Sequence, residues 1–162
     1  MKIVSMIALT LLIGIAAAGM DTLAEITEKV TAAFDQETGT FAEGAFETLL
    51  EAHNMIGEVL EGECADENEL CALGPLDCMV MYNLACLEAL NGNTEEAFTW
   101  LEGSIDAGYG DPDWMLEDED LTGLREDVRF GELLEAAAEN EDEDCTGPCS
   151  SGDPCCGSGD CD

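Results

Sequence analysis

Positive charge is almost missing from this chain. Its 162 residues hold 4 Lys and Arg against 38 Asp and Glu, a formal net charge of −34. That shortage excludes a nucleic-acid binder, which needs a basic footprint to displace phosphate counterions. It also opposes docking to an anionic membrane surface. Histidine is scarcer still. His53 is the single one, so a hydrolytic triad has one place to draw its base from. His53 falls at helical spacing from Leu49, Leu50 and Ile56, and no Cys–His or Asp–His spacing accompanies it. It therefore reads as a partly buried structural histidine, and the chain as not an enzyme. Strand signals are absent as well: no alternating run of β-branched residues is bounded by turn residues. Carboxylates at Asp111, Asp113, Asp118 and Asp120 do not fit the twelve-residue calcium loop.

What remains is hydrophobic and cysteine-rich. The apolar fraction is 46%, too high for a disordered acidic chain, and there are 9 Cys. Residues 1–19 set the compartment. Lys2 is followed by an apolar run and then by Ala16 and Ala18, the pattern of a secretory signal peptide. The chain is expected outside the cytoplasm, periplasmic or extracellular, where disulfides persist, with no stable membrane insertion once the signal is removed.

Periodicity predicts helices over residues 21–36, 40–60, 77–90, 93–107 and 127–138, with a short one opened by Asp111-Pro112. Thr22–Glu25 and Thr40–Glu43 have the spacing of capping boxes. Asn93 is placed to cap the fourth helix, and Gly92 to turn into it. Residues 63–76 read as a connector carrying Cys64 and Cys71 and ended by Gly74-Pro75. The domain plan is a signal at 1–19, a helical hairpin at 20–62, the connector at 63–76, a helical region at 77–138 and an acidic, Cys-rich, disordered tail at 139–162.

The tail carries Cys145, Cys149, Cys155, Cys156 and Cys161 without a large apolar residue. Two chemistries fit. One is a set of disulfides, with Cys64, Cys71 and Cys78 as further members. The other is a thiolate cluster binding zinc or cuprous copper. Cys86 lies in the apolar stretch of the third helix and reads as a buried thiol.

The segment from Met81 onward, Met-Tyr-Asn-Leu-Ala-Cys-Leu-Glu-Ala-Leu-Asn-Gly-Asn-Thr-Glu-Glu-Ala-Phe-Thr-Trp-Leu-Glu-Gly-Ser, resembles a tetratricopeptide repeat. Tyr82, Leu84 and Ala85 match the core of the first helix, Gly92 the turn, and Ala97, Leu101 and Ser104 the second helix. Glu88 departs from the usual aromatic there. Trp114 and Phe130 match a terminal extension common after bacterial repeats of this family, with Glu119 and Val128 where Pro is frequent. The resemblance spans about residues 77–135. It implies an all-α fold, a short array of helical hairpins closed by a capping C-terminal extension. It also implies a non-enzymatic scaffold for a protein or peptide, with no cofactor. The charge suits a basic or apolar partner. The alternative is a metal-binding or thiol-redox protein acting through its Cys-rich tail.

A chain this acidic repels itself when compact, and unfolding relieves the repulsion. Salt shortens the Debye length from about 10 Å at 0.1 M to about 3 Å at 1 M. The thermal midpoint is expected to rise between those sodium chloride concentrations, with divalent cations acting at lower concentration. Thermal melts across the range check this; a midpoint that stays flat or falls would mean that repulsion does not govern stability.

Overall fold

The computed structural model describes residues 20–35, 37–61 and 67–141. The signal-like residues 1–19, Cys64 and all five tail cysteines lie outside them. The described residues are helical, and among them there is no strand, only one isolated bridge between Phe34 and Phe41. The chain divides after Glu61 into two compact units.

The first unit is a helical hairpin of α1 (Met20–Ala32) and α2 (Ala45–Leu60). Ile26, Val30, Ala33, Ala45, Leu49, Ala52 and Ile56 form its core, at the 3.6-residue spacing that puts them on facing sides. The helices differ from the sequence expectation at both inner ends. Thr22 is already inside α1, so it is no N-cap. α1 stops four residues early because Asp35 closes a turn: its Oδ1 accepts from the N–H groups of Glu37 and Thr38 and from the Thr38 hydroxyl. Thr40 also fails to start a helix. Its neighbour Phe41 pairs back with Phe34, ring centroids 5.2 Å apart, and α2 begins only after Gly44, whose φ of 77° favours glycine.

The second unit is built around α3 (Glu67–Asn91) and α4 (Thr94–Asp106). α5 (Pro112–Glu117), a 3-10 helix (Glu119–Leu124) and α6 (Val128–Glu141) follow. Both long helices end on glycine in the left-handed region. Gly92 has φ 79° and Gly108 φ 102°. In each case the next N–H reaches back across the turn, Asn93 to Glu88 O and Tyr109 to Ser104 O, which satisfies carbonyls the helix end would leave open. Asn93 stands at the N-cap of α4, yet its side chain does not cap. Its Nδ2 donates instead to Glu88 Oε2 at 2.6 Å, which gives the buried Glu88 a partner. Asp111 does cap α5, accepting from Trp114 N–H, with Pro112 in the first turn.

The connector expected at 63–76 is corrected by the structure. From Glu67 onward this segment is the first part of α3, and Pro75 lies inside the helix. Proline normally costs a helix one hydrogen bond and some crowding. Here Leu73 and Leu76 are buried on either side of it, so packing overrides the local stop signal. Cys71 and Cys78 both belong to this helix. Seven residues along one helix separate the Cα atoms by roughly 10 Å, and a disulfide spans at most about 7 Å.

α3 and α4 lie antiparallel and close. Ser104 Oγ donates to Cys78 O at 2.7 Å, and a Cβ placed on Gly103 would lie 3.2 Å from Met81 Sδ. Tyr82, Leu84, Ala85, Ala97, Leu101 and Ser104 are all buried in this unit, as is Phe130 on α6; Trp114 is half-buried. α6 runs to Glu141, three residues beyond expectation, and Asn140 Nδ2 ties its last turn to the carbonyls of Ile105 and Tyr109.

Ala85 has no solvent exposure. Replacing it with Leu adds volume that the packed unit cannot absorb, and Ala85→Leu is expected to cost about 1–3 kcal/mol. Chemical denaturation of both proteins measures this; equal midpoints would mean the contact has slack.

Candidate functional site

A polar cluster of buried donors sits where α3 meets the 3-10 helix. Tyr82 and Cys86 are one turn apart on α3, and both point at Asp118. Tyr82 Oη donates to Asp118 Oδ2 at 2.9 Å, and Cys86 Sγ donates to the same oxygen at 3.6 Å. Tyr109 stacks on Tyr82, ring centroids 4.5 Å apart at 12°. Asp118 is itself held: its Oδ1 accepts from Asp120 N–H and its carbonyl from Arg125 Nη2 at 2.7 Å. One carboxylate thus satisfies two buried donors on a helix more than thirty residues away.

This geometry keeps protons in place. Burial first, and then the Asp118 charge, push the Cys86 thiol well above its ordinary range. Burial, with Asp77 nearby, pushes Cys78 up to about 11. Tyr82 and Tyr109 are raised too, again chiefly by burial. A thiol next to a carboxylate and away from cations is the opposite of an activated nucleophile. The cluster fastens the segment after α5 to α3. Cys78 and Cys86 are free and buried; Cys78 donates to Pro75 O at 3.1 Å. The placement of Asp118 and Tyr109 against Tyr82 is what sequence reasoning missed. The available signal was Tyr82 itself, since a tyrosine at a core position needs a partner for its hydroxyl.

Among the described residues the cations Lys29, Arg125 and Arg129 are each engaged within their own unit. Arg129 makes two bonds to Glu95, at 2.9 and 3.0 Å, contacts Asp127 at 2.8 Å, and lies 4.0 Å over the Phe98 ring. Lys29 pairs with Glu51 at 2.7 Å. Arg125 bonds the Asp118 carbonyl. These partners hold Glu95 and Asp127 below the usual carboxylate range, through the Arg129 hydrogen bonds first. His53 is half-buried on α2 and has a partner. Among the described residues no three His, Cys, Asp or Glu side chains converge as metal ligands. Asp111 and Asp118 spend an oxygen each on capping backbone N–H groups.

No family model, no curated protein and no solved structure matches this chain.

The raised thiol and phenol values make stability depend on alkaline pH. A group with a raised folded-state pKa contributes fully below its unfolded value and loses that contribution as pH climbs toward the folded one. The unfolded thiol titrates near 8.5 and the unfolded phenol near 10, so the thiols act first and Tyr82 only above about pH 10. The midpoint is therefore expected to fall from about pH 8.5 to about pH 11, each such group steepening the fall by up to about 1.4 kcal/mol per pH unit. Cys86→Ala and Tyr82→Phe should each make the fall shallower. Melts of the three proteins at stepped pH check this; identical slopes would mean these groups ionise freely in the fold.

Proposed function

We propose that this chain is a non-enzymatic protein-interaction module exported from the cytoplasm, a short tetratricopeptide-like scaffold whose partner carries positive charge. The observation that carries the reading is the use of the cations. Lys29, Arg125 and Arg129 are each occupied by groups of their own unit, while acidic side chains such as Glu58, Glu102, Asp113, Glu119 and Glu132 stand exposed. The outward field is one of carboxylates, which attracts a basic partner and repels acidic ones. The buried small residues Ala85, Ala97 and Ser104 and the turn at Gly92 support the repeat-like hairpin. The signal-like residues 1–19 and the cysteine count support a periplasmic or extracellular location.

A second reading rests on a separate observation, the five cysteines in the last eighteen residues behind Glu141, Asp142, Glu143 and Asp144. In it the helical body carries a tail that binds metal or buffers thiols. The thiol state separates the two. Intact mass of the exported protein, with and without reduction and alkylation, is expected to show disulfides. Nine alkylated thiols without prior reduction, together with bound zinc or copper, would favour the second reading. For the first, immobilised full chain in extract of the source envelope is expected to retain a basic protein at about 0.1 M salt and release it near 1 M. Recovery equal to that of a bead carrying a scrambled sequence would remove the scaffold reading.

A further inference from the structure

Helix α3 lacks a polar side. Residues 78–87 carry no formal charge, and the stretch Ala72–Asn91 is long and apolar enough to cross a membrane by length and composition alone. A helix that is apolar all round needs cover all round. The fold buries 67% of its apolar eighteen-residue window; besides Ala72, Asp77, Ala89 and Asn91, the less covered residues follow one line. Pro75, Met79, Asn83 and Leu87 follow one another at four-residue spacing and are half-buried, and Leu90, three residues on, is 56% exposed. At 3.6 residues per turn these five share one side of the helix. Asn83 does not break the stripe's apolar character, because its Nδ2 is turned back onto Met79 O at 2.7 Å.

The stripe has an acidic edge. Tyr82 and Cys86, neighbours of Asn83 and Leu87 in the chain, are bonded to Asp118. Asp118 belongs to a run of four acidic residues, Glu117 to Asp120, of which Glu117 and Glu119 are exposed. An apolar ridge along a helix, edged by carboxylates, complements a helix whose own apolar residues recur at i, i+3, i+4 and i+7 and whose flanks carry Lys or Arg. A second copy of this chain brings the same negative field and no cationic flank. An anionic bilayer is repelled as well.

The geometry points to this stripe on α3, from residue 75 to residue 90, as the docking face for a cationic amphipathic helix of a protein partner. The inference rests on the interaction-module reading and names its surface.

The test uses the full chain and three labelled peptides, read by fluorescence anisotropy at about 0.1 M salt. One peptide places Leu at helical spacing on one face and Lys elsewhere. The second has the same composition scrambled, and the third has Glu in place of Lys. The patterned Lys peptide is expected to bind about tenfold tighter than the scrambled one, the worth of one or two docked apolar side chains. The Glu peptide should not bind. Leu90→Gln and Met79→Gln should each weaken the patterned peptide several-fold, while Val128→Gln, at an exposed apolar residue of α6, should not; melts confirm that the variants are folded. Equal binding of patterned and scrambled peptides overturns the stripe as a docking face and leaves the basic-partner reading standing. No binding of either removes both. Patterned binding that is indifferent to Leu90→Gln and Met79→Gln also overturns it, as does stripe-dependent binding to neutral phosphatidylcholine vesicles, which would make the face membrane-seeking.

Discussion

The second unit depends on how closely α3 and α4 approach. The helices are near enough for a side chain of one to bond the backbone of the other, Ser104 Oγ to Cys78 O at 2.7 Å. Such an approach needs small residues at the crossing, and the chain supplies Gly103 and Ser104 there, with Ala85 and Ala97 fully buried in the same pair of helices. Once the hairpin is closed, the rest of the unit has a surface to build on. Asn140 anchors the end of α6 on the last turn of α4 and the loop after it. Asp118 anchors the extension on α3 through Tyr82 and Cys86. Each anchor is a polar side chain that finishes an unsatisfied group, which is the condition for burying it at modest cost.

Charge limits what else the fold can use. Among the few described cations, Arg129 makes several contacts at once. Arg129 joins α4 to the start of α6 by pairing with Glu95 and Asp127 and by lying over Phe98. A planar guanidinium suits this combination of bidentate and stacked contacts, and an ammonium would not replace it. The exposed pairs add little stability individually. Their larger consequence is electrostatic: Lys29 and Arg129 are neutralised by carboxylates of their own units, and solvent meets the remaining carboxylates.

The helix pair around Gly92 and the Asp111-Pro112 start of α5 were legible in the sequence because their determinants are local. Apolar spacing, a turn glycine, and an acid before proline act within a few residues. The misreadings have the opposite character. Thr40–Glu43 has the spacing of a capping box, but the Phe34–Phe41 contact holds the chain out of the helix until Ala45. Gly74-Pro75 looks like a stop, but the burial of Leu73 and Leu76 keeps the helix going. Asn93 has the right identity for a cap and gives its side chain to Glu88 instead. The Asp118 contacts were illegible for the same reason. They join residues 36 and 32 positions apart, and nothing in either segment alone pairs them.

Pro75 also bears on why α3 keeps an incompletely covered side. A proline within a helix is tolerated when packing holds the flanking turns. It stands at the beginning of the half-buried stripe, while Leu73 and Leu76 are turned into the core. The same helix therefore has two unlike sides. One is fixed by α4 and by the Asp118 contacts, and its buried thiols and phenol are held toward their protonated forms. The other is apolar and poorly covered, in a chain whose surface is otherwise crowded with carboxylates. Elsewhere exposed large apolar residues stand singly, as Leu116 and Val128 do. Met79, Leu87 and Leu90 instead share one side of α3, an arrangement that lowers free energy only when something apolar lies against it.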